Sequence, residues 1–237
     1  MKRILVALFL FGITFGYVEA AVVVYLRSIY EPLRQSISPR PAHDLFPLIT
    51  LPQLRAAGAE NVSHFITELA REAATILMLA AIALAVANTF QQWAAAFLIA
   101  FGVWDISFYL FLKVLIDWPA SLLTWDLLFL IPVPWASPVI APVIVSLSMI
   151  GCGLAALRRP VPIGALQWVA ILLGGLIIVV SFTLDYRNTT AGRMPNPFNW
   201  TVFLSGELLG LAGFCSAAFY SPTGLPGSRV SQKLRGS

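Results

Sequence analysis

Four carboxylates of this chain, Glu19, Glu72, Asp105 and Glu207, sit inside long apolar runs. A carboxylate surrounded by hydrocarbon is costly unless it is paired, protonated or lines a polar cavity. It is also a natural general acid or base. Burial favours the neutral acid, while a nearby arginine keeps a second carboxylate ionised. These four are therefore the candidate catalytic residues.

Their neighbours extend the set. His64, Glu68 and Glu72 recur at spacing four, which puts them on one helical face. Imidazole and carboxylate suit several divalent ions, so His64, Glu68 and Glu72 are the candidate metal ligands, for Mg²⁺, Mn²⁺ or a di-iron centre. The simpler reading of the same stretch is an Arg71–Glu68 pair three residues apart beside an interfacial histidine. Asp105, Tyr109 and Lys113 also share a face, with Tyr109 placed to relay between the other two. Glu19 and Arg27 are eight residues apart on one face of the first apolar run. Arg71, Arg27 and Lys113 are available to an anionic head group. With Tyr109, Trp125 and Asp126 they form the candidate substrate-binding set.

Other chemistries are poorly served. Only two histidines occur, which excludes a three-histidine zinc site. There is no Gly-x-Ser-x-Gly elbow and no Walker A loop. Di-iron bundles usually carry Glu-x-x-His pairs, and none is present. Cys152 and Cys215 both fall in apolar runs and read as small buried hydrophobes, not as a disulfide framework.

The elements that must position these residues follow from composition. The 237 residues are 59% hydrophobic and 11% charged, against about 25% charged in a soluble domain. About 20 apolar residues are needed to cross a bilayer. Six segments qualify, at about 4–26, 64–88, 91–115, 137–157, 163–184 and 199–220. The expected fold is an all-α polytopic membrane protein, one bundle over 1–222 with a flexible basic cytoplasmic tail at 223–237.

Lys2, Arg3, Arg158, Arg159, Arg229, Lys233 and Arg235 then share one side with no acid among them. The positive-inside bias makes that side cytoplasmic, with both termini inside. The expected location is the plasma (bacterial inner) membrane, with the site facing the extracytoplasmic side. The net charge of +4 is largely topological and does not call for nucleic acid. Residues 1–20 have the basic start, apolar core and Val18-Glu19-Ala20 ending of a signal peptide. The apolar run continues to Arg27, long enough to span, and retention is expected; cleavage would remove Glu19.

A long outer loop is expected at 28–62, lying on the interface. A short re-entrant or interfacial helix is expected at 121–131, because that apolar piece is too short to span and is bounded by prolines. Gly206, Gly210, Gly213 and Ala217 form a small-residue stripe suited to close helix packing. By helical rise, the four buried acids lie roughly 8–14 Å below the outer boundary. Glu68, His64, Asp126 and Asp185 would ring the mouth above them.

A shared layer of acids from four helices favours a common cavity over scattered structural ion pairs. The inner halves of the spans are almost purely apolar, which argues against a transport path. The expected function is a membrane-embedded enzyme acting on a lipid or isoprenoid-type substrate from the outer leaflet, by acid/base or metal-assisted chemistry. The alternatives are an accessory subunit of a membrane complex, or a cation- or proton-coupled carrier.

Overall fold

The computed structural model describes residues 1–39, 44–159 and 161–219. The tail expected at 223–237 lies outside them. Six helices are long and apolar enough to cross a membrane. They are α1 (Lys2–Ile37), α3 (Ala59–Val86), α4 (Phe90–Ile116), α5 (Ile140–Arg158), α6 (Ala165–Thr183) and α8 (Trp200–Phe219). Two short helices, α2 (Leu51–Ala56) and α7 (Tyr186–Thr190), lie in the connections.

Local chemistry sets the ends. Thr50 and Gln53 form a reciprocal capping box on α2, and Thr89 accepts from the Gln92 N–H to start α4. Asp117, at φ 53°, ends α4 in a left-handed turn. There Lys113 sits 2.5 Å from the Asp117 carboxylate.

Two connections differ from expectation. The first helix does not stop near residue 26 but runs on to Ile37. Pro32 removes one backbone hydrogen bond. Across it, Glu31 accepts from Arg34 at 2.8 Å and from Gln35 at 2.7 Å, and these side-chain bonds hold the extra turns. The outer loop is correspondingly shorter.

The stretch expected as a re-entrant helix is instead a β-hairpin, β1 (Trp125–Phe129) with β2 (Trp135–Pro138). The strands pair antiparallel, with Asp126 opposite Ser137 and an irregular register between Leu127 and Phe129. Pro132 and Pro134 prevent a helix from continuing here, so the backbone is satisfied across strands instead. The mostly helical, six-span expectation stands, and the correction is confined to this segment, a small hairpin in place of the re-entrant helix.

Helix α4 is central. Its most apolar window is 61% buried, against 17–33% for the other five spans. Trp93, Phe97, Phe101, Trp104 and Phe108 form a chain of ring contacts at spacings of three or four along it. On its flanks pack α1, α3 and α5, while α6 and α8 form a separate close pair. The small-residue stripe of α8 lies in that pair as expected: Gly206 meets the Gly174 carbonyl, and Gly213 meets Ala170. Cys152 and Cys215 are free thiols, and Cys215 is exposed, contrary to the expected burial.

Candidate functional site

The helices and the hairpin enclose one cavity of about 460 Å³. Its walls come from α1, α3, α4, α5 and α6, and from the segment before α2. The hairpin contributes Asp126 to Leu130, together with Trp135. Three of the four candidate catalytic acids line it: Glu19, Glu72 and Asp105. All three are buried, between 5% and 8% exposed.

Spacing on α3 builds the first part of the site. Glu68, Arg71, Glu72 and Thr75 follow at three- and four-residue steps and share a face. Arg71 donates from Nε to Glu68 at 2.8 Å, and from Nη1 to Glu19 on α1. Thr75 Oγ1 donates to Glu19 at 3.0 Å. One guanidinium thus bridges two carboxylates from two helices.

Glu72 is held differently. Its Oε2 accepts from the Leu130 backbone N–H at 2.8 Å, which ties α3 to the hairpin. On α4, Asp105 Oδ2 accepts from Ser146 Oγ of α5 at 2.8 Å. Neither acid forms an ion pair among the described residues.

Tyr109 donates to Asp126 at 2.8 Å. It does not bridge Asp105 to Lys113 as the spacing suggested, because the hairpin brings Asp126 in from above. Arg27 lies 4.4 Å over the Trp118 ring, a cation–π arrangement. Its Nε, like the Nε1 atoms of Trp104 and Trp135, is buried without a hydrogen-bond partner among the described residues.

Asp126 stands outside the spanning helices. Burial pushes its carboxyl up from 3.8 to about 6, opposed by the Tyr109 hydrogen bond and by the nearby Arg27 charge. Between those two values the folded protein holds a proton that the unfolded chain has released. The group's contribution is therefore full below about pH 3.8 and is lost as pH rises through about 6. Melting temperatures of the wild type and Asp126→Asn, compared from about pH 7 down to about pH 4, are expected to diverge in favour of the wild type as pH falls. A flat difference across that range would show that Asp126 titrates in the fold as it does in the open chain.

The remaining expectations divide. Arg27, Arg71, Tyr109 and Asp126 line the cavity. Lys113 does not: it is half exposed and bonded to the Pro119 carbonyl at 3.2 Å and to Asp117. Trp125 also lies outside the lining, edge-on to Phe46 and Phe198. Glu207 is buried on α8 beside the α6 seam, and one of its carboxylate oxygens lacks a partner there. It is not among the residues that line the cavity, and α8, packed on α6 and touching α5, supplies none of them. Of the expected ring at the mouth, Glu68 and Asp126 line the cavity. Asp185 instead accepts from Asn188 and Asn196.

The metal stripe is not assembled. Glu68 is committed to Arg71 and Glu72 to the Leu130 N–H, while His64 leans toward Glu60 at 3.9 Å. No group of three His, Cys, Asp or Glu side chains suited to a metal occurs among the described residues. A shared helical face brings ligands near one another, but here each has a closer partner on another element.

Sequence reasoning missed Ser146, Thr75, Trp104 and the Leu130 N–H. Thr75 had a legible signal, since it follows Arg71 by four. Ser146 is polar within an apolar run, but its partner depends on how α5 docks on α4. The Leu130 contact depends on a hairpin, which a short apolar run does not distinguish from a helix.

Together these features define a polytopic helical membrane protein whose bundle holds a carboxylate-lined cavity beneath a β-hairpin. No protein-family model matches the chain, and comparisons with curated proteins and solved structures return no match either.

Proposed function

We propose that this protein is a membrane-embedded enzyme acting on a lipid or isoprenoid-type amphiphile by carboxylate acid/base chemistry. One observation carries the reading. Glu19, Glu72 and Asp105, from three helices, converge on a single cavity of about 460 Å³, within the range of about 300–1,000 Å³ typical of ligand sites. Its deeper walls are apolar and aromatic, including Phe101, Met149 and Ile178. Polar groups gather toward the hairpin end.

Roles follow from partners. Glu72 and Asp105 are the acids that no guanidinium engages directly, so they exchange protons with the substrate. Glu72 is aimed by a backbone N–H and Asp105 by the Ser146 hydroxyl. Glu19 and Glu68 are positioning residues through Arg71. The reading places the hairpin end on the extracytoplasmic side of a plasma or bacterial inner membrane. Its support is that Lys2, Arg3, Arg158 and Arg159 flank helix ends distant from the hairpin.

The test is consumption of a lipid. Purified full-length protein is incubated with a total lipid extract and followed by mass spectrometry, beside Glu72→Gln and Asp105→Asn. The wild type is expected to deplete one species, and each variant to do so about 10²- to 10⁴-fold more slowly at an unchanged melting temperature. No depletion by the wild type would sink the enzyme reading.

The accessory-subunit reading would then take its place, since Glu19 is closed in an ion pair and Glu207 lies at a helix seam. The carrier reading has less support. The small crevice at the opposite end, lined by Met1, Ile4, Val86, Gln92, Ala96 and Leu157, presents no charged side chain.

A further inference from the structure

The charge balance of the cavity and the gap in its wall narrow the class of ligand, on the reading above that the cavity holds an amphiphile. Among the described residues, seven carboxylates and three guanidiniums line it, and four of the acids, Glu19, Glu72, Asp105 and Asp126, are buried. Two of the guanidiniums are paired with carboxylates, Arg71 with Glu19 and Glu68 and Arg34 with Glu31, while Arg27 lies over Trp118 near Asp126. Glu72 and Asp105, 6% and 8% exposed, hold hydrogen bonds but no cation. An excess of buried negative charge requires protons or a cationic partner. A phosphate or carboxylate head group would add to the repulsion.

The wall is open on one side. Helices α3 and α6 both line the cavity, yet α3 packs mainly on α4 and α6 on α8, with no extended contact between them. At this gap α6 presents Gly175, which is exposed and lines the cavity, and a Cβ there would meet nothing within 4 Å. Ile178, Val179 and Phe182 continue the apolar wall beside it.

We infer that the cavity takes a single-chain amphiphile with a protonated amine head, the head against Glu72 and Asp105 and the chain leaving between α3 and α6 past Gly175. The ligand supplies the positive charge that no described residue brings to Glu72 and Asp105.

The experiment is native mass spectrometry of the full-length protein released from nonionic detergent, titrated with dodecylamine, dodecanol and dodecyl phosphate. Dodecylamine is expected to bind at least about tenfold tighter than either of the others. That preference should fall in Glu72→Gln and Asp105→Asn. Gly175→Phe, which fills open space, should weaken dodecylamine binding by about tenfold or more at an unchanged melting temperature. Equal or tighter binding of dodecyl phosphate or dodecanol, still blocked by Gly175→Phe, would overturn the amine head while leaving the cavity as the ligand site. Binding of all three that is indifferent to Gly175→Phe and to both acid variants would overturn the inference and the cavity reading together.

Discussion

Gly174→Leu is expected to unseat α6 from α8 and to cost about 3 kcal/mol or more, a severe case of overpacking. A Cβ at Gly174 would lie 2.6 Å from the Gly210 nitrogen and 2.7 Å from the Gly206 carbonyl oxygen. Both are backbone atoms of α8, so no side chain can swing aside. Only separation of the helices relieves the clash. That separation would forfeit the close packing that holds two apolar helices together where no hydrophobic driving force exists between them.

The effect should reach the cavity as well, because the next turn of α6 supplies Ile178, Val179 and Phe182 to its wall. Gly175→Leu is the matched control. One residue along, the new side chain meets open space and the melting temperature should barely change. The measurement is thermal unfolding of both variants in the same detergent. A Gly174→Leu protein as stable as Gly175→Leu would contradict the backbone contact between α6 and α8.

The second large effect is expected at Arg71. Arg71→Met removes the cation that bridges Glu19 on α1 to Glu68 on α3. Breaking a buried pair from one side costs about 3–5 kcal/mol, because the partner charges remain without compensation. The lower end applies here, since the Arg71 side chain is 24% exposed.

The loss should be largely restored by neutralising the stranded acid. Arg71→Met combined with Glu19→Gln leaves Thr75 as the remaining partner at that position and removes the deeper of the two stranded charges, Glu19 being 7% exposed against 13% for Glu68. Melting temperatures of the wild type, both single variants and the double variant form a double-mutant cycle. Recovery in the double variant is the expected result. Additive losses would mean that Arg71 stabilises the fold by packing and not by charge.

Much of the bundle is legible in the residues themselves. Five of the six span assignments coincide with helices to within a few residues at each end; the exception is the first, with α1 extended by the Glu31–Arg34–Gln35 cluster. Three of the four buried acids meet in a cavity, as a shared depth suggested. Glu207 has a similar depth but stands on α8, which the tight glycine seam holds against α6 and which supplies none of the cavity's lining residues. Depth is a property of position along one helix. Azimuth relative to other helices is not, and it separated Glu207 from the rest.

The hairpin shows the same division. Residues 121–131 are too short and too proline-bounded to span, and the structure has no spanning helix there. Strand or helix could not be told from a short apolar run alone, because each satisfies the backbone in its own way. The choice mattered, since it delivers Asp126 to Tyr109 and the Leu130 N–H to Glu72.

By itself, then, the chain determines that there are six membrane-length helices, that the acids concentrate toward one end of them, and that α8 carries a seam of small residues. Those properties are local: they depend on apolar run length, on spacing along one helix and on residue size. Only the tertiary structure decides which acids share a cavity, which are tied up by Arg71, and where the wall stays open at Gly175. These depend on contacts between residues as far apart as Glu19 and Thr75, or Glu72 and Leu130, and no periodicity within one segment encodes such pairs.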